Sequence, residues 1–235
     1  LTVNSNDYGI EFNGQRSTEF GLEVIYPKEI GLPAKTKILQ TLPYSNTVLD
    51  LSELYGGQPY GERTIKLAFN VYQFGRVNKD RLYITFTKVV NWLMAPNHKV
   101  KLKDDVMSDY YYLGEVRSAP TFAEVLRYGT LTVEFTCSPF RIHELAEGAD
   151  VWDEFNFELD VAQEVNYQVN GNRTITLINS GQPATCTVNV TSNLSLSNFG
   201  VLSAGTNAIT LPAGETVLAI TGNGQITFNW HKEVI

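Results

Sequence analysis

The chain has 235 residues, 43% of them hydrophobic and 18% charged, with a formal net charge of −7 and a pI near 5.0. This composition is globular rather than disordered, and the length suits one large or two modest domains, each with its own core. The acidic balance argues against a protein that grips nucleic acid sequence-specifically through clustered Lys and Arg. No apolar run approaches the roughly 20 residues that span a bilayer, so no membrane insertion is expected.

The opening residues, Leu1 to Asp7, lack the basic and apolar regions of a signal peptide. Tyr8–Phe12 and Leu22–Tyr26 read as the arms of a hairpin joined through Asn13-Gly14 and a polar loop. From Pro27 to Gly61 the chain is punctuated by Gly31, Pro33, Pro43, Gly56, Gly57 and Pro59, with short extended runs at 37–42 and 48–51. So long a loop in a compact domain reads either as an arm reaching a partner or as two edge strands of the same barrel. Thr64–Tyr72 is a strand with Ile65, Leu67, Phe69 and Val71 inward. Asn78 is a candidate helix cap. Leu82, Phe86, Val89, Val90 and Leu93 then recur at helical spacing until Pro96.

Strands follow at 98–102 and 110–116, paired around Lys103-Asp104-Asp105, while 121–126 is ambiguous. From Thr130 to Cys137 the alternation is strict: Leu131, Val133, Phe135 and Cys137 face one way and Thr130, Thr132, Glu134 and Thr136 the other. Ser138-Pro139 is expected to stop that strand. A domain boundary is placed there, giving a first domain of residues 1–139 and a second of 140–235. The second half contains no persuasive helix. Strands are predicted at 155–159, 164–169, 173–179, 184–190, 208–211, 216–220 and 225–230. Turn signals between them include Asn170-Gly171-Asn172 and Gly222-Asn223-Gly224. Such regular short strands imply a β-sandwich, plausibly a jelly roll. Its last strand, with Ile226, Phe228 and Trp230 on one face, either closes the sandwich or returns towards the first domain.

Several stretches in order carry a family resemblance. Phe12-Asn13-Gly14 followed by Glu19-Phe20-Gly21-Leu22, the run Thr47 to Ser52, the run Tyr60 to Ile65, and Tyr110 to Phe140 are similar to the first domain of the distal tail protein (Dit) family. These are the baseplate hubs of siphophages, bacteriophages with long, non-contractile tails. The family often has a Gly-Xaa-Asp-Gly turn before its Leu-Asp pair, whereas this chain has Tyr44-Ser45-Asn46. The resemblance implies a mainly β protein with one helix. An N-terminal antiparallel β-barrel-like domain with an extended arm would be followed by a C-terminal galectin-like β-sandwich. It also implies a structural role in the virion tail tip, assembled in the bacterial host cytoplasm. The protein would form a homohexameric ring, single or stacked with a second, at the end of the tail tube. Its partners would be the tail tube protein, the tail-tip or tail-associated lysin protein, the end of the tape measure, and receptor-binding proteins. A ring of such acidic chains would repel DNA phosphates and let a genome slide through.

Residues with chemical potential are sparse. The three histidines, His98, His143 and His231, belong to no metal-ligand or His-Glu-Xaa-Xaa-His spacing. There is no Gly-Xaa-Ser-Xaa-Gly elbow, and Tyr55-Gly56-Gly57-Gln58 lacks the Lys-Ser/Thr of a phosphate loop. The acidic cluster Asp150, Asp153, Glu154, Glu158 and Asp160 around Trp152 lacks calcium-loop spacing and reads as a solvated linker. Cys137 and Cys186 sit at apolar positions of alternating strands and are expected to be buried free thiols. No catalytic, cofactor-binding or metal-binding residue is assigned, and the chain is not expected to be an enzyme. The competing reading is a carbohydrate-binding adhesin acting through the second domain, with Trp152, Trp230 and Tyr167 as the candidate sugar platforms.

Overall fold

The structure is a computed structural model that describes residues 8–54, 57–72, 79–125, 128–148 and 155–235. The predicted cap at Asn78 and the acidic residues Asp150, Asp153 and Glu154, with Trp152, lie outside that set. The chain divides into two compact units, Leu1–Arg141 with Ile235, and Ile142–Val234. It is mainly β, built of antiparallel sheets, with a single α-helix among the described residues.

The first unit contains β1 (Ile10–Phe12), β2 (Gln15–Arg16), β3 (Leu22–Ile30), β4 (Leu39–Thr41), β5 (Val48–Asp50) and β6 (Arg63–Tyr72). The helix α1 (Lys79–Met94), then β7 (Val100–Asp104), β8 (Tyr110–Val116), β9 (Thr121–Val125) and most of β10 (Tyr128–Ala146) complete it. The main sheet runs β2-β1-β7-β8-β10-β6-β3, with β9 also on β10. Alternation works as anticipated on the two central strands. Ile65, Leu67, Phe69 and Val71 of β6 are buried, as are Leu131, Val133, Phe135 and Cys137 of β10, and the pairing runs from Tyr128↔Tyr72 to Cys137↔Arg63. The helix lays Leu82, Val89, Trp92 and Leu93 on this core. Trp92, which lies outside the apolar stripe of Leu82, Phe86, Val89, Val90 and Leu93, fixes its position: Nε1 donates to the Phe12 carbonyl at 2.9 Å, and the indole packs edge-on to Phe12 and stacks on Phe20.

Three expectations need correction here. The Tyr8–Phe12 and Leu22–Tyr26 runs are not partners: β1 pairs with β2 and β7, while β3 pairs with β6 at the far end of the sheet. Asn13 (φ 52°) and Gly14 (φ 73°) are both left-handed, so the chain reverses in two residues and uses Gln15–Arg16 as the return strand. Secondly, Pro139 does not end its strand, because β10 continues to Ala146. The β6 ladder stops at Cys137↔Arg63, so the missing proline N–H lies beyond the hydrogen bonds it would have broken. Thirdly, the strand predicted from His98 begins at Val100. Asp104 stays within it, and its carboxylate caps the following 3-10 turn by accepting from the Val106 amide.

The second unit contains β11 (Asn166–Asn179), β12 (Ala184–Val190), β13 (Leu194–Leu196), β14 (Gly200–Leu202), β15 (Gly205–Leu211), β16 (Gly214–Asn229) and β17 (His231–Val234). Its sheet runs β14-β13-β16-β12-β15 with β11 along β16, and β17 pairs with β10. The run at 155–159, predicted as a strand, is a turn closed by the Asn156 carbonyl, which accepts from the Leu159 and Asp160 amides at 3.1 and 2.8 Å. The predicted turns at Asn170-Gly171-Asn172 and Gly222-Asn223-Gly224 are also corrected. Both lie inside long strands and face each other through the pair Gly171↔Gly222. They form a corner. Gly222 has φ +134°, and a Cβ there would stand 2.7 Å from Leu194 Cδ2, so only glycine lets the strand bend this close to β13. Either side of the corner the alternation persists, burying Tyr167, Val169, Ile175 and Leu177 of β11 against Leu218, Ile220, Ile226 and Phe228 of β16, with Trp230 just beyond.

Candidate functional site

The arm is the region where the first unit departs from the rule that apolar faces are covered. Its base is a narrow ladder. Lys35 bridges Tyr60, the Thr36 amide donates to the Pro59 carbonyl at 2.9 Å, and the Gly61 amide donates to the Ala34 carbonyl at 2.8 Å. Beyond it, β4 and β5 pair only with each other, in the register Leu39↔Asp50, Gln40↔Leu49 and Thr41↔Val48. The Ile38 amide donates to Ser52 Oγ at 2.8 Å and the Leu51 amide to the Ile38 carbonyl at 2.9 Å, extending the hairpin by one pair. At the tip Tyr44 takes a left-handed φ of 61°, a conformation that costs a non-glycine residue about 1–2 kcal/mol. The Tyr44 side chain at this turn is fully exposed.

Because directly opposed residues share a face, the register sorts the arm into two unlike sides. One carries Ile38, Gln40, Leu42, Leu49 and Leu51. The other carries Leu39, Thr41, Val48 and Asp50, with Lys37 paired to Asp50 at 2.8 Å. That lysine and the Ser52 hydroxyl and amide hold the Asp50 carboxyl well below the usual carboxylate range. The first side is almost wholly apolar, yet Ile38, Leu42, Leu49 and Leu51 are all at least 37% exposed. Full burial of their remaining apolar surface would contribute roughly 1 kcal/mol each. A free two-stranded ladder is marginal in water, and an exposed apolar one is an aggregation liability.

A second feature of the first unit complements it. Strand β3 has β6 on one side and no strand on the other among the described residues. Beside it lies an open cleft of about 460 Å³ lined by Glu29, Ile30, Gly31, Thr64, Lys66 and Glu134, with Lys66 3.7 Å from Glu134 and 4.0 Å from Glu29. Tyr26 and Ile30 of β3 are exposed along this edge.

The candidates for chemistry are dispersed. His98 is exposed, with Nδ1 2.9 Å from Asn97 Oδ1. His143 is buried, with Nδ1 2.9 Å from the Leu145 carbonyl, and His231 Nδ1 lies 2.9 Å from the His143 carbonyl. Among the described residues no group of three or more His, Cys, Asp or Glu is placed to hold a metal ion. Cys137 and Cys186 are free and buried, and burial pushes their thiols up to about 12 and about 11. Trp230 is 1% exposed and Tyr167 6%, so neither offers a face to a sugar. The acidic-linker reading fails at Asp160. Its carboxylate pairs with Lys232, a buried lysine whose Nζ also donates to the Leu159 carbonyl at 2.9 Å. Alternation signals this lysine, since it continues the buried parity of Ile226, Phe228 and Trp230.

No protein-family model and no curated protein matches the chain. Among solved structures it is similar to the crystal structure of the Dit (gp 19.1) protein of phage SPP1, which is described as a paradigm of the hub adsorption apparatus in phages infecting Gram-positive bacteria. The TM-score is 0.65 at 12% sequence identity, over 97% of this chain and 99% of that one. The chain thus has a Dit-like fold.

Proposed function

We propose that the chain is a structural hub of a phage tail, forming a ring at the distal end of the tail tube by self-association of its first unit. The observation that carries this is the arm: an ordered hairpin with an uncovered apolar side, in a unit that also keeps a free sheet edge. An arm of one copy laid on the edge of the next is a heterologous contact, and such a contact repeated by rotation closes into a ring. The likeness to the SPP1 hub protein supports this reading, and the family resemblance supplies the homohexamer, stacked or single. The tail tube, the tail-tip protein and the end of the tape measure are its neighbours on this reading. The galectin-like second unit would serve as the platform for receptor-binding or other baseplate proteins. Nothing in this role requires catalysis. The adhesin alternative loses two of its three aromatic candidates to burial, and the third, Trp152, lies outside the described residues.

Electron microscopy of the purified protein, alone and mixed with its tail-tip partner, tests the proposal. Sixfold rings are expected in at least the mixture. Monomers in both preparations would overturn it.

A further inference from the structure

From Val165 to Trp230 the sequence contains two charged side chains, Arg173 and Glu215, in a chain that is 18% charged overall. A soluble domain ordinarily keeps its outer face charged. Here the outer face is mostly threonine, asparagine, glutamine and serine instead, with Ile178, Val201 and Val217 also exposed. Strand register aligns four of these in one row across four strands: Asn166↔Thr227, Thr227↔Asn189 and Asn189↔Thr206. The row is held in place by its own hydrogen bonds. Thr206 Oγ1 donates to Asn189 Oδ1 at 2.8 Å, while Gln225 Nε2 and Thr227 Oγ1 donate to Asn166 Oδ1 at 2.8 and 3.2 Å. The Gln225 amide in turn donates to Thr191 Oγ1 at 2.8 Å. These contacts occupy the oxygen of Asn189 and the nitrogen of Gln225, and leave the Asn189 Nδ2 donors and the Gln225 Oε1 acceptor to face solvent.

Between them the surface dips into an open cleft of about 200 Å³ lined by Asn189, Thr191, Gly205, Thr206, Gln225 and Thr227, together with Val190. The cleft is below the range that encloses a drug-sized ligand and matches the scale of a single sugar ring. Arg173 is engaged elsewhere, over the Tyr167 ring and 3.5 Å from Glu164, and Glu215 pairs with Ile178 at the opposite end of β16. Pre-ordered donors and acceptors without charge discriminate against phosphate polymers, acidic peptides and basic peptides alike, none of which finds a counter-charge there. What they complement is a ligand that is itself uncharged and dense in hydroxyls.

We propose that this cleft is a binding site for a neutral polysaccharide, one pyranose ring of which seats between Asn189 and Gln225 with the neighbouring sugars lying along the threonine row. With no aromatic platform, affinity for one site is weak, in the millimolar range, and useful binding comes from many copies acting together. Only that multivalency rests on the hub reading; the single site stands without it, and its failure would leave the arm and the ring untouched.

The test is a nuclear magnetic resonance titration of the isotope-labelled full chain. The probes are soluble oligomers of glucose, galactose, mannose and N-acetylglucosamine, with polyglutamate as the charged control. Saturable shifts are expected at the amides of Asn189, Thr191, Thr206 and Gln225 with at least one neutral oligomer and none with polyglutamate. The exposed double variant Asn189→Ala, Gln225→Ala should weaken that binding at least about tenfold with an unchanged melting temperature. Thr206→Arg, which fills and charges the cleft, should abolish it. No response to any oligomer, binding undiminished in both variants, or shifts confined to another surface would overturn the proposal.

Discussion

Two antiparallel strand pairs in this molecule follow the same pairing geometry and end in opposite circumstances. In the β11–β16 pair, Tyr167, Val169, Ile175 and Leu177 point one way and are buried, and the polar residues between them face water. In the β4–β5 hairpin one side is nearly all apolar while the other mixes Leu39 and Val48 with Thr41 and Asp50, and Ile38, Leu49 and Leu51 are as open to solvent as the residues between them. Pairing and register are therefore indifferent to burial. What differs is the cover: the long pair bends at Gly171 and Gly222 and shares a core with β12, β13 and β15, whereas β4 and β5 form a two-stranded sheet of their own. An apolar face left open by the described residues is the physical case for a second chain.

The comparison can be broken hardest in the second unit. Asp160→Asn removes the carboxylate that pairs with the buried Lys232 and should cost about 3–5 kcal/mol, read as a fall in denaturation midpoint. The sign of its pH dependence follows from its environment. Lys232 and the Asn156 amide lower the Asp160 pKa against the opposing effect of burial, so its contribution is present above the ordinary value near pH 4 and is lost as pH falls through the lower folded value. Glu147 behaves oppositely, since burial raises its pKa. Its charged form opposes folding once pH rises above the unfolded value, and Glu147→Gln should raise the melting temperature at pH 7 and lose that advantage in acid.

Leu177→Ala, at a fully buried position, should cost about 2–5 kcal/mol. Gly222→Ala should cost roughly 1–3 kcal/mol through its backbone and the Leu194 contact, by the same denaturation measurement. In the arm, by contrast, the double variant Leu49→Asp, Leu51→Asp should change monomer stability by no more than about 0.5 kcal/mol. It should nevertheless abolish assembly in sedimentation runs. The smallest effect concerns the thiols: neither Cys137 nor Cys186 should label with a thiol reagent at pH 8 until the chain is denatured.

Strands β6, β10 and β12 were legible because period-two alternation and burial coincide there. The helix was legible from Leu82 to Pro96, although Trp92 was not, since indole burial depends on reaching the Phe12 carbonyl from a different element. The two glycine clusters misled for a definite reason. A glycine with φ above zero serves a turn and a strand corner equally well, and only the partner strand distinguishes them. Pro139 misled because its effect depends on where along the strand the ladder ends, and the β6 ladder ends at Cys137. The arm was visible as punctuation and short extended runs, and even its two faces follow from alternation. That one face has no cover among the described residues does not, because sequence pattern reports which side is apolar and not what lies against it.

Amide hydrogen exchange at Leu39–Thr41 and Val48–Asp50, compared between the dilute protein and its assembled form, tests the central claim most directly. If another copy completes the arm, these amides exchange fast in the dilute chain and slowly in the ring, while those of β11 are protected in both. Amides of the arm already protected in the dilute chain, or equally fast in both states, would contradict it.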